Sequence, residues 1–260
     1  MELFDTHAHL DDEQLCDQLD EVIARAREAN VTRILAVGTT RSSSERCVEI
    51  AGRYPEVFAA VGIQPNYCHE VVDGDWERIV ELANAPKVVA LGETGLDKYW
   101  DYCPWDVQVD FFRRHISLAA ERQLPFIVHM RECESEMLET LQAARTQWGA
   151  LSGVMHSFTG NLETAESCIE MGLYISFAGM ITYKNASGLR SVAEEIPEDR
   201  LLIETDAPYL SPVPVRDRRP NEPAHLLHTA RALAVTCRLT LEELAEATTA
   251  NARRLFLRER

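Results

Sequence analysis

The sequence predicts an α/β fold of the TIM type, a single (β/α)8 barrel, on three observations. Eight short apolar runs rich in β-branched residues recur along the chain, and longer stretches with helical spacing separate them. The chain has 260 residues, about 32 for each of eight βα units, which suits a barrel of about 250 residues. Strand alternating with helix implies parallel strands, because parallel neighbours need a long crossover between them.

The runs fall at residues 3–7, 33–37, 57–62, 88–91, 126–129, 153–156, 173–177 and 201–204. After the first, Leu15, Leu19, Val22, Ile23 and Ala26 are spaced as one face of a helix. Val109, Phe112, Ile116 and Ala119 repeat that spacing after the fourth. Residues 240–256 predict an extra C-terminal helix, with Thr240 and Glu243 placed as a capping box. An open doubly wound sheet is the alternative. It carries a Gly-rich phosphate loop after its first strand, where this chain has His7-Ala8-His9. With 46% hydrophobic residues and no Gly-, Ser- or Pro-rich linker, residues 1–260 are expected to share one core as a single domain.

Acidic residues outnumber basic ones 42 to 26, for a net charge of -16. That argues against a surface gripping long stretches of nucleic acid, which needs clustered Lys and Arg. Contact with one or two phosphates through bound cations remains open, since such ions reverse the local sign of the field. No run approaches the roughly 20 apolar residues that span a bilayer, and Met1 to His7 lacks the order of a signal peptide. A cytoplasmic protein without membrane contact is expected. Seven cysteines with no CxxC pair fit reduced thiols in that compartment.

His7 and His9 stand two apart at the end of the first strand, so alternation puts both imidazoles on one face. Glu93, His129, His156 and Asp206 each sit at or just past the end of a different apolar run. In a barrel those ends meet at one mouth. Six ligands exceed one tetrahedral ion and suit two divalent ions sharing a carboxylate. His7, His9 and Asp206 are assigned to one ion, His129 and His156 to the other, and Glu93 to the bridge. Imidazole favours Zn or Mn over Mg by ligand type. His69, His115, His225 and His228 are read instead as hydrogen-bonded turn residues.

Several segments together make the resemblance specific: Asp-Thr-His-Ala-His-Leu at 5–10, Gly-Glu-Thr-Gly-Leu-Asp at 92–97 and His129 after Pro-Phe-Ile-Val. His156-Ser-Phe-Thr-Gly, Glu-Thr-Asp-Ala-Pro-Tyr-Leu at 204–210 and Asn-Glu-Pro-Ala-His at 221–225 follow in order. The chain resembles the TatD family of metal-dependent deoxyribonucleases, in the amidohydrolase superfamily. The resemblance implies a TIM-barrel DNase or phosphodiesterase whose metal ligands are the six residues above. It departs in one place: where the family usually has His-Pro-His after the third strand, this chain reads Gln64-Pro65-Asn66.

Two close metals can bind a phosphoryl oxygen, supply hydroxide near neutral pH and stabilise the leaving oxygen. Glu93 and Asp206 are the catalytic candidates, Asp206 as general base or as a pure ligand. Asp5 and Glu204 share the inward face by period two, either orienting ligands or satisfying each other within the barrel. Arg216, Arg218 and Arg219 follow the eighth strand, where barrels commonly bind phosphate; Arg218 is the chosen clamp, against a solvated loop as the reading for at least two of the three. Tyr99, Trp100, Tyr183 and Tyr209 are placed to stack on bases or to pack the rim, with Tyr209 taken as substrate-binding. The expected partner is DNA, held over a short contact at ends or single strands, with no obligate protein partner. The competing readings are an amide or ester hydrolase of the same architecture, such as an aminoacyl-tRNA deacylase, and a non-catalytic metal-binding protein.

Overall fold

A computed structural model describes residues 1–258. Its strands are β1 (Leu3–Ala8), β2 (Val31–Val37), β3 (Val57–Val61), β4 (Val88–Asp97), β5 (Phe126–Arg131), β6 (Gly153–Met155), β7 (Leu173–Phe177) and β8 (Leu201–Ile203). They form one sheet in sequence order, with β3 to β6 and β7 to β8 paired in parallel. A parallel bridge from Ala8 to Ala207 joins the end of the first strand to the segment after the last. Sequential parallel order with the first strand meeting the last, and helices between strands, is the TIM-type (β/α)8 class. β1 and β7 are buried along their whole length, the pattern of parallel strands covered on both faces.

β4 departs from expectation. The apolar run ends at Leu91, but the strand continues to Asp97 through a register irregularity between Leu91 and Thr94. Glu93 therefore lies inside a strand, not at its end, because extended backbone here pairs with β5 without an apolar side chain at every step. The other seven strands begin or end within two residues of the predicted limits.

By internal packing the chain divides into two compact units. The first comprises residues 1–35, 156–166 and 174–260. In it the terminal helix Leu241–Ala252 begins at the expected Thr240–Glu243 capping box and continues as one π-helical turn over Arg253–Leu257. The Thr249 hydroxyl donates to the Glu2 carbonyl, and Phe256 meets Phe4 of β1 with ring centroids 6.1 Å apart. The extra helix thus seals the base of β1.

The second unit comprises residues 36–155 and 167–173. His115, read as a turn residue, lies instead within the helix Trp105–Arg122 and is fully buried. Its Nδ1 sits 2.7 Å from the Phe111 carbonyl, and its Nε2 accepts the Ile63 amide at 3.1 Å, holding the segment after β3. Burial pushes this imidazole down to about 4, so the fold keeps it neutral. An unfolded chain protonates below about 6.5; the contribution is whole above that pH and falls away between 6.5 and 4. The slope is about 1.4 kcal/mol per unit. Between pH 7 and 5, metal-free wild-type protein is expected to lose about 2 kcal/mol more stability than His115→Gln in denaturant titrations. Equal losses would contradict the coupling. Among the described residues, no helix is long and apolar enough to cross a membrane, and no disulfide forms.

Candidate metal centre

In the first unit, alternation along β1 turns Asp5 and His7 to one side, and His9 follows the strand end. Backbone bonds from the Asp206 amide to the His7 carbonyl (2.9 Å) and from the His9 amide to the Ala207 carbonyl (2.7 Å) lace this end to the segment after β8. Asp206 takes a left-handed φ of 55°, a conformation Asp tolerates better than most residues. The lacing holds it there and aims its carboxylate at the imidazoles.

The result is a dense donor set. The Nε2 atoms of His7 and His9 are 3.3 Å apart, and Asp206 Oδ1 lies 3.7 and 3.5 Å from them. The His156 ring stacks on His7 with centroids 4.1 Å apart. Ligand atoms of His7, His156 and Asp206 all lie within 4.8 Å of one another. All four residues are buried. Three imidazoles and a carboxylate converging away from water make the N/O ligand chemistry a divalent cation takes. Burial alone would raise the Asp206 carboxyl, but the His9 hydrogen bond and the charges of His7, His156 and His9 outweigh it and hold it below its ordinary range.

Glu204 and Asp5 act on different parts of this set. Glu204 Oε1 accepts from the Ser157 amide (2.6 Å) and faces His156 Nδ1 at 3.2 Å, leaving His156 Nε2 for a ligand role. Asp5 accepts from the Thr205 amide and hydroxyl at 2.9 and 2.5 Å and from the His7 amide at 3.3 Å, fixing both ligand-bearing segments. Burial pushes the Asp5 carboxyl up to about 7. Partners that orient a ligating imidazole typically change metal affinity 10- to 100-fold. Glu204→Gln is therefore expected to weaken metal binding by about that factor in competition titrations, with the fold intact. Unchanged affinity would show that His156 does not ligate.

In the second unit, the glycines of the 92–97 segment bring β4 against β5. Gly92 and Gly95 have φ of +130° and +140°, a region side chains rarely adopt. A Cβ on Gly92 would lie 2.8 Å from the Ile127 carbonyl, and one on Gly95 would collide with the carbonyl of His129, its register partner. This approach places Glu93 Oε1 2.9 Å from His129 Nδ1 and Asp97 Oδ2 2.8 Å from His129 Nε2. With Nε2 committed to Asp97, Nδ1 is the nitrogen offered beside Glu93, the carboxylate–histidine arrangement that orients metal ligands. Asp97 also accepts from the amides of Tyr99 and Trp100 and from Asn66 Nδ2 at 3.1 Å. Burial would raise its carboxyl, but the His129, Trp100 and Asn66 hydrogen bonds and the His129 charge hold it low.

The structure thus groups His7, His9, His156 and Asp206 in one unit and Glu93 with His129 in the other. Sequence reasoning singled out neither Asp97 nor Thr205, although both lie inside quoted motifs. Tyr209 is half exposed; its ring meets His9 edge-on at 5.9 Å and its hydroxyl lies 3.0 Å from Asp12 Oδ2. Arg218 is exposed on the loop after β8, whereas Arg216 lies over the Tyr183 ring at 4.0 Å. Arg131 covers Tyr99 at 3.7 Å. Of the histidines read as turn residues, His69 and His225 lie in 3₁₀ turns, while His228, like His115, is helical.

A family model described as TatD related DNase matches residues 4–257. An uncharacterized metal-dependent hydrolase of Bacillus subtilis (strain 168), YabD, is 44% identical over 254 residues, covering 98% of each chain. The 3′-5′ ssDNA/RNA exonuclease TatD of Salmonella typhimurium is 35% identical over 260 residues, also covering 98% of each. The crystal structure of YJJV, a TatD homolog from Escherichia coli K12, aligns with a TM-score of 0.92 at 30% identity over 98% of each chain.

Proposed function

This chain belongs to the family of TatD-related DNases, and we propose on that premise that it is a two-metal exonuclease acting on the ends of single-stranded DNA. The observation that carries the reading is the buried convergence of His7, His9, His156 and Asp206, a donor set suited to a divalent ion. His7, His9 and Asp206 would hold one ion and His129 and His156 another, with Glu93 as the shared carboxylate. Divalent ions so held would supply Lewis acidity for phosphodiester hydrolysis near neutral pH. Zn, Mn and Mg are the candidates.

The chain's own residues supply the rest. Asp206, kept ionised by its imidazole neighbours, accepts the proton of the attacking water at its carboxylate. Glu204 and Asp97 hold their imidazoles in one tautomer each. Arg218 contacts a substrate phosphate and Tyr209 a base. A cytoplasmic location and independence from any obligate protein partner complete the proposal.

The test is hydrolysis of end-labelled single-stranded and duplex oligonucleotides after chelation and metal reconstitution. Stepwise loss of terminal nucleotides from single strands, abolished by chelation and restored by Mn or Zn, is the expected outcome. Full activity in verified metal-free protein, or rapid nicking of closed circular duplex, would overturn it. The net charge of -16 also predicts a short footprint. Each phosphate neutralised on a single strand contributes a slope of about -0.7 in log affinity against log salt, so two or three contacts give roughly -1.5 to -2. Binding of a hydrolysis-deficient variant across a salt series checks this, and a much steeper slope would contradict it.

A further inference from the structure

We propose that the cavity bounded by Gln64, Asn66, Tyr67, Trp100 and Tyr102 is a nucleobase-binding subsite, an inference that rests on the nuclease reading above and names what holds its substrate. The cavity has a volume of about 580 Å³, within the range of small-ligand sites. Three of its walls are aromatic side chains left largely open to solvent: Tyr67 (41% exposed), Trp100 (38%) and Tyr102 (55%). Large exposed aromatics clustered around one concavity are not explained by core packing.

The rings are pre-arranged. Tyr102 lies nearly parallel to Trp100, with centroids 5.1 Å apart and 9° between planes. Trp100 in turn stands edge-on to Tyr99, whose ring carries the Arg131 guanidinium. The column fixes the orientation of Tyr102, a cavity-lining ring on which a planar base can stack.

The polar wall supplies hydrogen-bonding groups suited to a base edge. Gln64 Oε1 accepts the Asn66 amide at 2.8 Å, so the rest of its carboxamide remains to donate. Asn66 donates through Nδ2 to Asp97, while its Oδ1 is buried and accepts nothing. The Gln64 amide N–H groups can pair with an acceptor on a base edge, while Asn66, with its donor given to Asp97 and its oxygen buried, braces the wall. The wall contains no Lys or Arg; beside its tyrosines, its ionisable side chains are Glu70 and His69. That composition suits a neutral base and disfavours a phosphate.

Asn66 also ties the subsite to the chemistry. Asp97 Oδ2 takes hydrogen bonds from both Asn66 Nδ2 and His129 Nε2, so the cavity wall stands two hydrogen bonds from a proposed ligand. Asn66 thus acts on His129 through Asp97 as a positioning residue.

The experiment compares a single-stranded phosphorothioate pentadeoxynucleotide with the base-free sugar-phosphate chain of equal length and charge, by calorimetry on the metal-loaded protein. Loss of one base–aromatic stack costs about tenfold to a hundredfold in affinity. The wild type is expected to bind the base-bearing chain tighter by that factor. Tyr102→Ala should erase the difference and Tyr102→Phe preserve it. Equal affinity for the two chains, binding of neither, or discrimination surviving in Tyr102→Ala would overturn the subsite. A protein that discriminates but hydrolyses no phosphodiester keeps the subsite and loses the nuclease reading. One that cleaves DNA without discriminating does the reverse.

Discussion

Glu93→Ala is expected to lower turnover about a thousandfold or more and to reduce bound metal below that of the wild type. The Glu93 carboxylate is buried on β4 with Oε1 2.9 Å from His129 Nδ1. Truncation removes both a proposed shared ligand and the group facing a second ligand. Lewis-acid stabilisation by a bound ion amounts to several kcal/mol, and each 1.36 kcal/mol is tenfold in rate. His228→Ala should change turnover little, since that side chain lies outside the donor groups. Metal analysis beside steady-state kinetics decides the matter. Two ions and full turnover in the Glu93 variant would remove Glu93 from the bridge.

Asp206→Asn separates two roles that the sequence leaves open. Asn keeps the size of the side chain and, like Asp, tolerates the left-handed backbone at φ 55°, so the lacing to His7 should persist. What it loses is a basic oxygen. A positioned general base contributes about 10² to 10⁴ in rate; kcat should fall by that amount with KM changed far less. If metal content drops while kcat per bound metal stays at the wild-type value, Asp206 is a ligand and nothing more.

The alternation of apolar runs with helical spacing made the barrel class and seven of its strands legible, because burial on both faces leaves a continuous apolar signature. β4 hid its second half for a physical reason. From Gly92 onward its contribution lies in backbone freedom and polar side chains, and neither registers as hydrophobic periodicity. Asp97 was obscured with it. The period of two in β1 placed Asp5 beside His7, and its bonds to Thr205 and the His7 amide make it a brace for the ligand-bearing backbone. His115 and His228 eluded the sequence because imidazole carries little helix preference either way, and only tertiary packing decided their place. Tyr102, absent from the aromatic candidates, becomes conspicuous only when its ring is seen flat against Trp100.

The lacing between the end of β1 and the segment after β8 sets a timetable for the nascent chain. Asp5 meets its partner Thr205 across a separation of 200 residues. At roughly 5 to 20 residues per second of synthesis, His7 and His9 wait about 10 to 40 seconds for Asp206 to be made. A ribosome-bound intermediate that has not yet reached Asp206 lacks the carboxylate that completes this donor set.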